Sequence, residues 1–363
     1  MKHSILALAA TLAVLGATAS TAFAQSSVTV FGILDVNARS IKNGSTTIKQ
    51  LGNNGYSANQ LGFRGVEDLG GGLRAIFHIE SAISPDVGTS TTENGSPKFW
   101  QRRATVGLAG GFGEVRLGRD LNPSYLNIAN EAFGNLGTGS LLNFVTGFVP
   151  LNTGTGTALT GAAASTIVRA DNMIAYLTPG GLGGFFGSAA VAAGEGVPGG
   201  KYKAGRVGYA AGPIFVAAAM GVTQTATKDD YKLTNVAASY DLGVAKLFAL
   251  GNVQKWGNLE QKLLGVGAHV PVGNFLLRGS YVRVDQSGRT AAGVSTNAND
   301  ANLVALGGVY HLSKRTSLYS TVSRITNKGT AAFSVSGAAG IVPAAAATGK
   351  KSSGYEFGLR HGF

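Results

Sequence analysis

Arg74, His78 and Glu80 lie on one side of the alternating run Leu73 to Ile83, and Leu73, Ala75, Phe77, Ile79 and Ser81 lie on the other. Arg116 holds the same polar parity in its own run, and Asp35 holds it in the first alternating segment of the chain. A guanidinium keeps its charge at any physiological pH. Several of them lining a narrow water-filled passage would therefore set up a standing positive potential that concentrates anions and repels cations. Acids placed across from them would sharpen that field, and Asp120 and Glu131 in the next long segment are the candidates. The alternative for any one arginine is a girdle or turn position pairing with a lipid headgroup or a neighbouring acid. Bond-making chemistry finds less support. No Ser/His/Asp grouping recurs on a common strand face, as a nucleophile and its base would require. His78, His269, His311 and His361 are scattered singly, without the spacing of a zinc site. Gly70-Gly71-Gly72 is followed by no Lys-Ser/Thr pair and so is not a phosphate loop. No metal and no cofactor is expected.

The elements that must position these residues announce themselves at the C-terminus. Tyr355, Phe357, Leu359, His361 and Phe363 alternate with Glu356, Gly358 and Arg360 without a break. A strand with one aromatic, apolar side and one charged side suits a membrane β-barrel, where lipid meets one face and water the other. At the other end, Met1-Lys2-His3 is a short basic start, Ile5 to Gly16 is uncharged, and Ala22-Phe23-Ala24 is a small-x-small cleavage signal. Residues 1–24 therefore read as a secretory signal peptide, too short to span a bilayer, and 25–363 as the mature domain. No later stretch approaches the roughly twenty apolar residues of a spanning helix, so a membrane would be crossed by strands.

Composition agrees. The chain has 55 Gly, 9 Pro and no Cys in 363 residues, so an exported protein of this size has no disulfide to hold it. Its hydrogen-bonded framework must serve instead, and a closed barrel leaves no strand edge open. There are 30 Lys and Arg against 18 Asp and Glu, and losing Lys2 with the leader leaves 29 − 18 = +11. No Lys/Arg run forms a phosphate-tracking patch, so nucleic acid is not an expected partner. A positive interior open to small anionic or neutral solutes uses the excess better.

Period-two runs give about sixteen strands joined by two classes of spacer. Seven are tight, at 66–72, 109–113, 178–183, 210–213, 241–243, 270–274 and 312–314. Eight are longer and rich in Ser, Thr, Asn and Gly, at 40–57, 84–97, 120–168, 194–200, 223–230, 254–259, 287–299 and 327–352. Short turns at one end and long loops at the other are the asymmetry of an outer-membrane barrel with periplasmic termini. Segment 120–168 is far beyond ordinary loop length and carries Phe133, Leu136, Leu141, Leu142, Phe144, Val145, Phe148, Val149 and Leu151. That is too apolar for a solvated tail, so it is expected to fold inward and narrow the channel. The smooth strand Gly187-Ser188-Ala189-Ala190-Val191-Ala192-Ala193 could pack closely against a neighbouring subunit.

Several stretches resemble the general diffusion porins of Gram-negative outer membranes, in the branch typical of β-proteobacteria. They are Val28 to Asp35, Leu61-Gly62-Phe63-Arg64-Gly65-Val66-Glu67-Asp68-Leu69-Gly70-Gly71-Gly72-Leu73, Arg102 to Gly113 with Leu117-Gly118-Arg119, Arg169 to Tyr176, and the terminal Phe363. The resemblance implies an all-β, transmembrane antiparallel barrel of about sixteen strands, working as a homotrimer of water-filled pores. A long inward-folded third external loop narrows each pore. It implies contact with outer-membrane lipid and lipopolysaccharide, and delivery by the barrel-assembly machinery with Phe363, Phe357 and Tyr355 as the signal. It further implies wall arginines at the constriction, matched here by Arg102 and Arg169. A third family arginine is replaced by Gln60, and Arg64, four residues on, shares its face. The function expected is passive, weakly anion-selective diffusion of ions and small hydrophilic solutes. A substrate-selective channel, an outer-membrane enzyme and an adhesin are the alternatives.

Overall fold

The computed structural model describes residues 26–90, 92–93, 96–134, 137–148, 166–196, 200–225, 229–290, 293–335 and 348–363. The expected leader 1–24 lies outside them, as do 149–165 of the long segment and its Leu136. One 17-stranded antiparallel sheet makes up the body. Its strands are β1 Ser27–Asn43, β2 Thr46–Asn53, β3 Gln60–Gly70, β4 Leu73–Ser81, β5 Arg103–Gly110, β6 Gly113–Leu121, β7 Arg169–Leu177, β8 Phe185–Ala192 and β9 Tyr202–Ala211. They continue with β10 Ile214–Thr223, β11 Tyr231–Asp241, β12 Lys246–Trp256, β13 Leu259–Val272, β14 Phe275–Gly288, β15 Ala301–His311, β16 Thr316–Asn327 and β17 Lys351–Gly362. Each strand except β2 pairs with its successor, and β17 pairs with β1 from Ile33↔Gly362 to Asn43↔Ser352, which closes the barrel. β2 and β3 share one side of β1, pairing with 36–43 and 27–33 respectively. They form one interrupted crossing, so the seventeen strands make sixteen crossings.

Closure satisfies the backbone without water, as hydrocarbon requires. The last residue completes it: Phe363 N–H donates to Gly32 O at 3.0 Å and Gly32 N–H donates to Phe363 O at 3.2 Å. The Phe363 ring lies over Gly32, where a Cβ would collide with it. Alternation sorts the side chains as lipid and water demand, with Val207, Leu264, Leu306, Tyr355 and Phe357 exposed outward and Ala237, Gln254 and Gln261 buried inward.

Two spacers differ from the sequence expectation. Segment 40–57 is a hairpin extension of β1 and β2 turning at Gly44 (φ 57), followed by the strand break 54–59. One face of this hairpin, with Ile41 and Asn43, is buried and the other, with Lys42 and Thr47, is exposed, but Ser, Thr, Asn and Lys fill most of the run, so no apolar alternation marks it. Segment 254–259 is a two-residue turn, Gly257-Asn258, between β12 and β13. The small residues of β8 and β10 also find a use inside the barrel. Ala190, Ala192, Ala217 and Ala219 point inward and are nearly fully buried. The short helix α1 (Pro123–Ile128) of the long segment packs on this side, against β8 to β12. Gly221 leaves room there for the Ser124 hydroxyl.

Candidate functional site

Register decides which charges share the interior. Arg64 opposes His78, Gly62 opposes Glu80, Glu80 opposes Arg103, and Gly107 opposes Arg116, so these side chains all stand on the inner face of β3 to β6. Asp120 holds the same parity as Glu114 and Arg116 and so faces inward too, while the register shift between Gly118 and Asp120 leaves the extra residue on β7. The outcome is a continuous ladder. Arg116 Nε donates to Glu114 Oε1 at 2.5 Å and its Nη1 to Asp120 Oδ2 at 3.0 Å. Arg103 Nε donates to Asp120 Oδ1 at 2.6 Å. Its Nη1 lies 3.1 Å from His78 Nδ1, whose Nε2 lies 3.1 Å from Glu80 Oε2. A guanidinium can only donate, so Nδ1 is the acceptor on the Arg103 side and Nε2 faces the Glu80 carboxylate. Arg102 Nε binds the other oxygen of Glu80, and Arg102 O accepts from Arg169 Nε at 2.7 Å.

A second branch follows along the rim. Arg119 Nη1 donates to Asp171 Oδ1 at 2.6 Å, and Lys98 Nζ donates to Asp171 Oδ2 at 2.7 Å. Arg64, Arg102, Arg103, Arg116, Arg119, Arg169 and Lys98 stand against Glu80, Glu114, Asp120 and Asp171, which is 7 − 4 = +3. The central guanidiniums also reach water better than the acids between them. The side chains of Arg102 and Arg103 are 19% and 21% exposed, against 11% for Glu80 and 3% for Asp120.

The described part of the long segment is held by side chains of the inner wall from β9 to β17. Asn235 Nδ2 donates to Ser124 O at 2.9 Å, His269 Nε2 is 2.7 Å from Ala132 O, and Gln261 and Gln254 donate to Phe144 O and Val145 O at 3.0 and 2.9 Å. Arg206 Nε donates to Asn127 Oδ1 at 2.7 Å. Phe144 meets Phe333 edge-on at 4.9 Å, and Phe148 lies 6.4 Å from Tyr231. At the β17 end, Thr138 N–H donates to Glu356 Oε1 at 3.2 Å, and Glu356 also forms a buried pair with Arg39 at 3.4 Å. Arg278 is clasped between Phe133 and Tyr56, 4.6 and 4.9 Å from their ring centres.

Of the residues singled out from sequence, Arg102, Arg116, Arg169 and Asp120 meet in the ladder. Asp120 is not an acid on the facing loop; it is the penultimate residue of β6 and sits among the arginines. Glu131 does lie in the long segment, but it accepts from Ser140 Oγ at 2.8 Å and Leu141 N–H at 3.2 Å, so it braces the loop internally. Asp35 is fully buried. It accepts from the N–H groups of Gly55, Tyr56 and Ser57 at 3.1, 2.9 and 2.7 Å and from Tyr319 OH at 2.5 Å, which pins the break in the second crossing rather than facing water. Arg64 is exposed, with its guanidinium 5.4 Å from the Phe31 ring centre. Arg74 stands at the short-turn end opposite Asp68, and Gln60 faces inward opposite Ile33. Tyr355, Phe357 and Phe363 point outward and are exposed. Sequence reasoning missed Arg103, Arg119, Asp171 and Lys98, and it set Glu80 on the polar face without giving it a role. The Glu80 to Arg103 register could have been found by extending the inward parity of Arg74, His78 and Glu80 across the next strand.

The Gram-negative porin family matches residues 9–330 of the chain. Outer membrane porin protein 32 of Delftia acidovorans is 35% identical over 384 aligned positions, covering all of both chains. An outer membrane porin protein of Bordetella pertussis is 32% identical over 52% of this chain and 47% of its own. Among solved structures, the anion-selective porin from Comamonas acidovorans superposes with a TM-score of 0.80 at 34% identity, over 93% of this chain and 100% of that one. With a closed sixteen-crossing barrel, an apolar outer face and a charged inner one, the chain belongs to the Gram-negative porin family and is an integral protein of the outer membrane.

Proposed function

We propose that the protein is a passive, water-filled channel for ions and small hydrophilic solutes that favours anions, with its selectivity set at the ladder from Glu114 to Arg169. The observation that carries this reading is the surplus of guanidinium over carboxylate on the inner face of β3 to β7, with the loop held to the inner wall from β9 to β17. In a narrow aqueous path such a surplus raises the local concentration of anions, and the low-dielectric wall focuses the field. The Comamonas acidovorans relative, described as anion-selective, supports it at 34% identity. The working unit in this reading is a homotrimer in contact with lipid and lipopolysaccharide, delivered through its aromatic terminal strand by the barrel-assembly machinery. Segment 120–168 is the constriction, and 1–24 is removed on export.

Purified protein in a planar bilayer tests the reading. Stepwise open channels in threes are expected near zero voltage, with a reversal potential in a salt gradient that marks anions as the more permeant species. Silent bilayers or a cation-favouring potential would overturn it. Conductance that plateaus with one solute would instead indicate a binding channel for that solute.

A further inference from the structure

Arg102, Arg103, Arg116 and Arg119 of the ladder each hold a carboxylate. Arg206, on the inner face of β9, does not. Its Nε donates to Asn127 Oδ1 of α1, and its guanidinium lies 4.7 Å from the ring centre of Phe186 and 5.8 Å from that of Phe215. β8, β9, β10 and α1 contain no Asp or Glu, and no carboxylate pairs with Arg206 among the described residues. Arg206, Phe186 and Phe215 are all half-buried and share the inner parity of buried Ala190, Ala217 and Ala219, so what remains exposed of them faces the passage. Arg278 is also seated on two rings, but it is only 4% exposed and so closed to solutes.

Small residues shape this spot. Gly208 opposes Phe186, and a Cβ there would collide with the Phe186 ring, so the glycine lets that ring lie flat on β9 beside Arg206. Phe186 and Phe215 stack at 6.0 Å between centres and 20° between planes, which makes a flat aromatic wall. The register neighbours of Arg206 are Ser188 and Ala219, both too short to cover it. Asn127 takes Nε, which leaves the Nη1 and Nη2 edge to meet a carboxylate with two parallel hydrogen bonds. A counter-ion must therefore come from solution, and its chemistry follows from the surroundings. Chloride or phosphate would answer the charge and leave both rings wetted. An aliphatic dicarboxylate would bring a second charge, for which β8 to β10 offer no inward cation besides Arg206. One carboxylate on a flat ring satisfies both features.

We propose that Arg206, Phe186 and Phe215 form a binding station for aromatic monocarboxylates within the passage, the carboxylate held by Arg206 and the ring laid against the two phenylalanines. The station rests on the water-filled channel proposed above and names a solute class for it. The test is block of chloride current through the purified protein in planar bilayers at fixed KCl, with benzoate, cyclohexanecarboxylate and acetate as probes. Benzoate should reduce the current saturably, and cyclohexanecarboxylate, of like charge and size but without a π face, should need about fivefold more for the same reduction. Acetate should need more again. Arg206→Gln should raise the half-blocking benzoate concentration about tenfold or more. Phe186→Leu/Phe215→Leu, which keeps the charge, should erase the preference for benzoate over cyclohexanecarboxylate. Lys203→Gln, on the outward face of the same strand, should block like the parent. Should Arg206→Gln fail to assemble, the phenylalanine double variant decides the matter, and a benzoate preference retained there would overturn the station. So would equal block by the three acids, or parental block in Arg206→Gln. Silent bilayers would take the channel reading down with it, whereas open, anion-favouring channels that treat the three acids alike would overturn the station alone.

Discussion

Arg102 and Glu80 form one ion pair, and removing either member breaks it, yet the two removals change the charge of the passage in opposite directions. Arg102→Gln subtracts a positive charge and Glu80→Gln subtracts a negative one. For an ion passing roughly 8 Å away through water, a unit charge is worth about 0.5 kcal/mol. The sign reverses between anion and cation, so the difference between them changes by about 1 kcal/mol, or about fivefold in permeability ratio. At about 0.01 M salt the Debye length is about 30 Å and the shift should be near that size; at 1 M it is about 3 Å and little should remain. Reversal potentials in KCl gradients at both ionic strengths measure this. Arg102→Gln should lower the anion-to-cation ratio and Glu80→Gln should raise it, each mainly at low salt. Both variants moving the same way would mean that the broken pair distorts the wall and that distortion, not charge, sets selectivity. No movement in either would remove the ladder from the ion path.

Gln60→Arg adds a guanidinium on the inner face beside the ladder and should raise the anion-to-cation ratio at low salt; an unchanged reversal potential would place residue 60 off the path. Asp35→Ala deprives three N–H groups and Tyr319 OH of their buried acceptor, at about 1 to 3 kcal/mol for each group left unsatisfied. The folded band on an unheated gel should then convert at a clearly lower temperature, with Tyr319→Phe intermediate, and a parental conversion temperature would count against the pin. Gly32→Val drives a side chain into the Phe363 ring and should reduce outer-membrane yield much as deleting Phe363 does; normal yields for both would show that the seam closes without them.

The barrel is legible because lipid imposes a period of two on every crossing, and the aromatic parity of Tyr355, Phe357, Leu359 and Phe363 survives unchanged in the structure. Where that constraint lapses, reading by twos loses its footing. The hairpin at Asn43 to Thr46 and the turn at Gly257-Asn258 are flanked by runs of Lys, Asn, Gln, Ser and Thr rather than by an apolar lipid face, so their strands look like loop. Asp120 shares the parity of Glu114 and Arg116 in β6, so carrying the alternation one step past Arg119 would have moved it from the long segment to the arginine wall. The family motif draws attention to Arg102, which lies just before β5, while strand register brings its neighbour Arg103 to Asp120. The small residues of Gly187 to Ala193 suggest a smooth wall from composition alone, which reports size without saying that Ala190 and Ala192 serve the inner side.

The way the long segment is held gives it an unusual freedom. Asn235, Gln254, Gln261 and His269 engage its main-chain carbonyls, at Ser124, Val145, Phe144 and Ala132, and every residue type supplies that acceptor. The suspension is therefore indifferent to much of what hangs from it. Side chains along the segment that face the passage can be exchanged one at a time, altering its width or charge while the moorings stay in place. A lineage meeting a new mixture of nutrients, or an engineer wanting a different filter, can revise the aperture without rebuilding the wall.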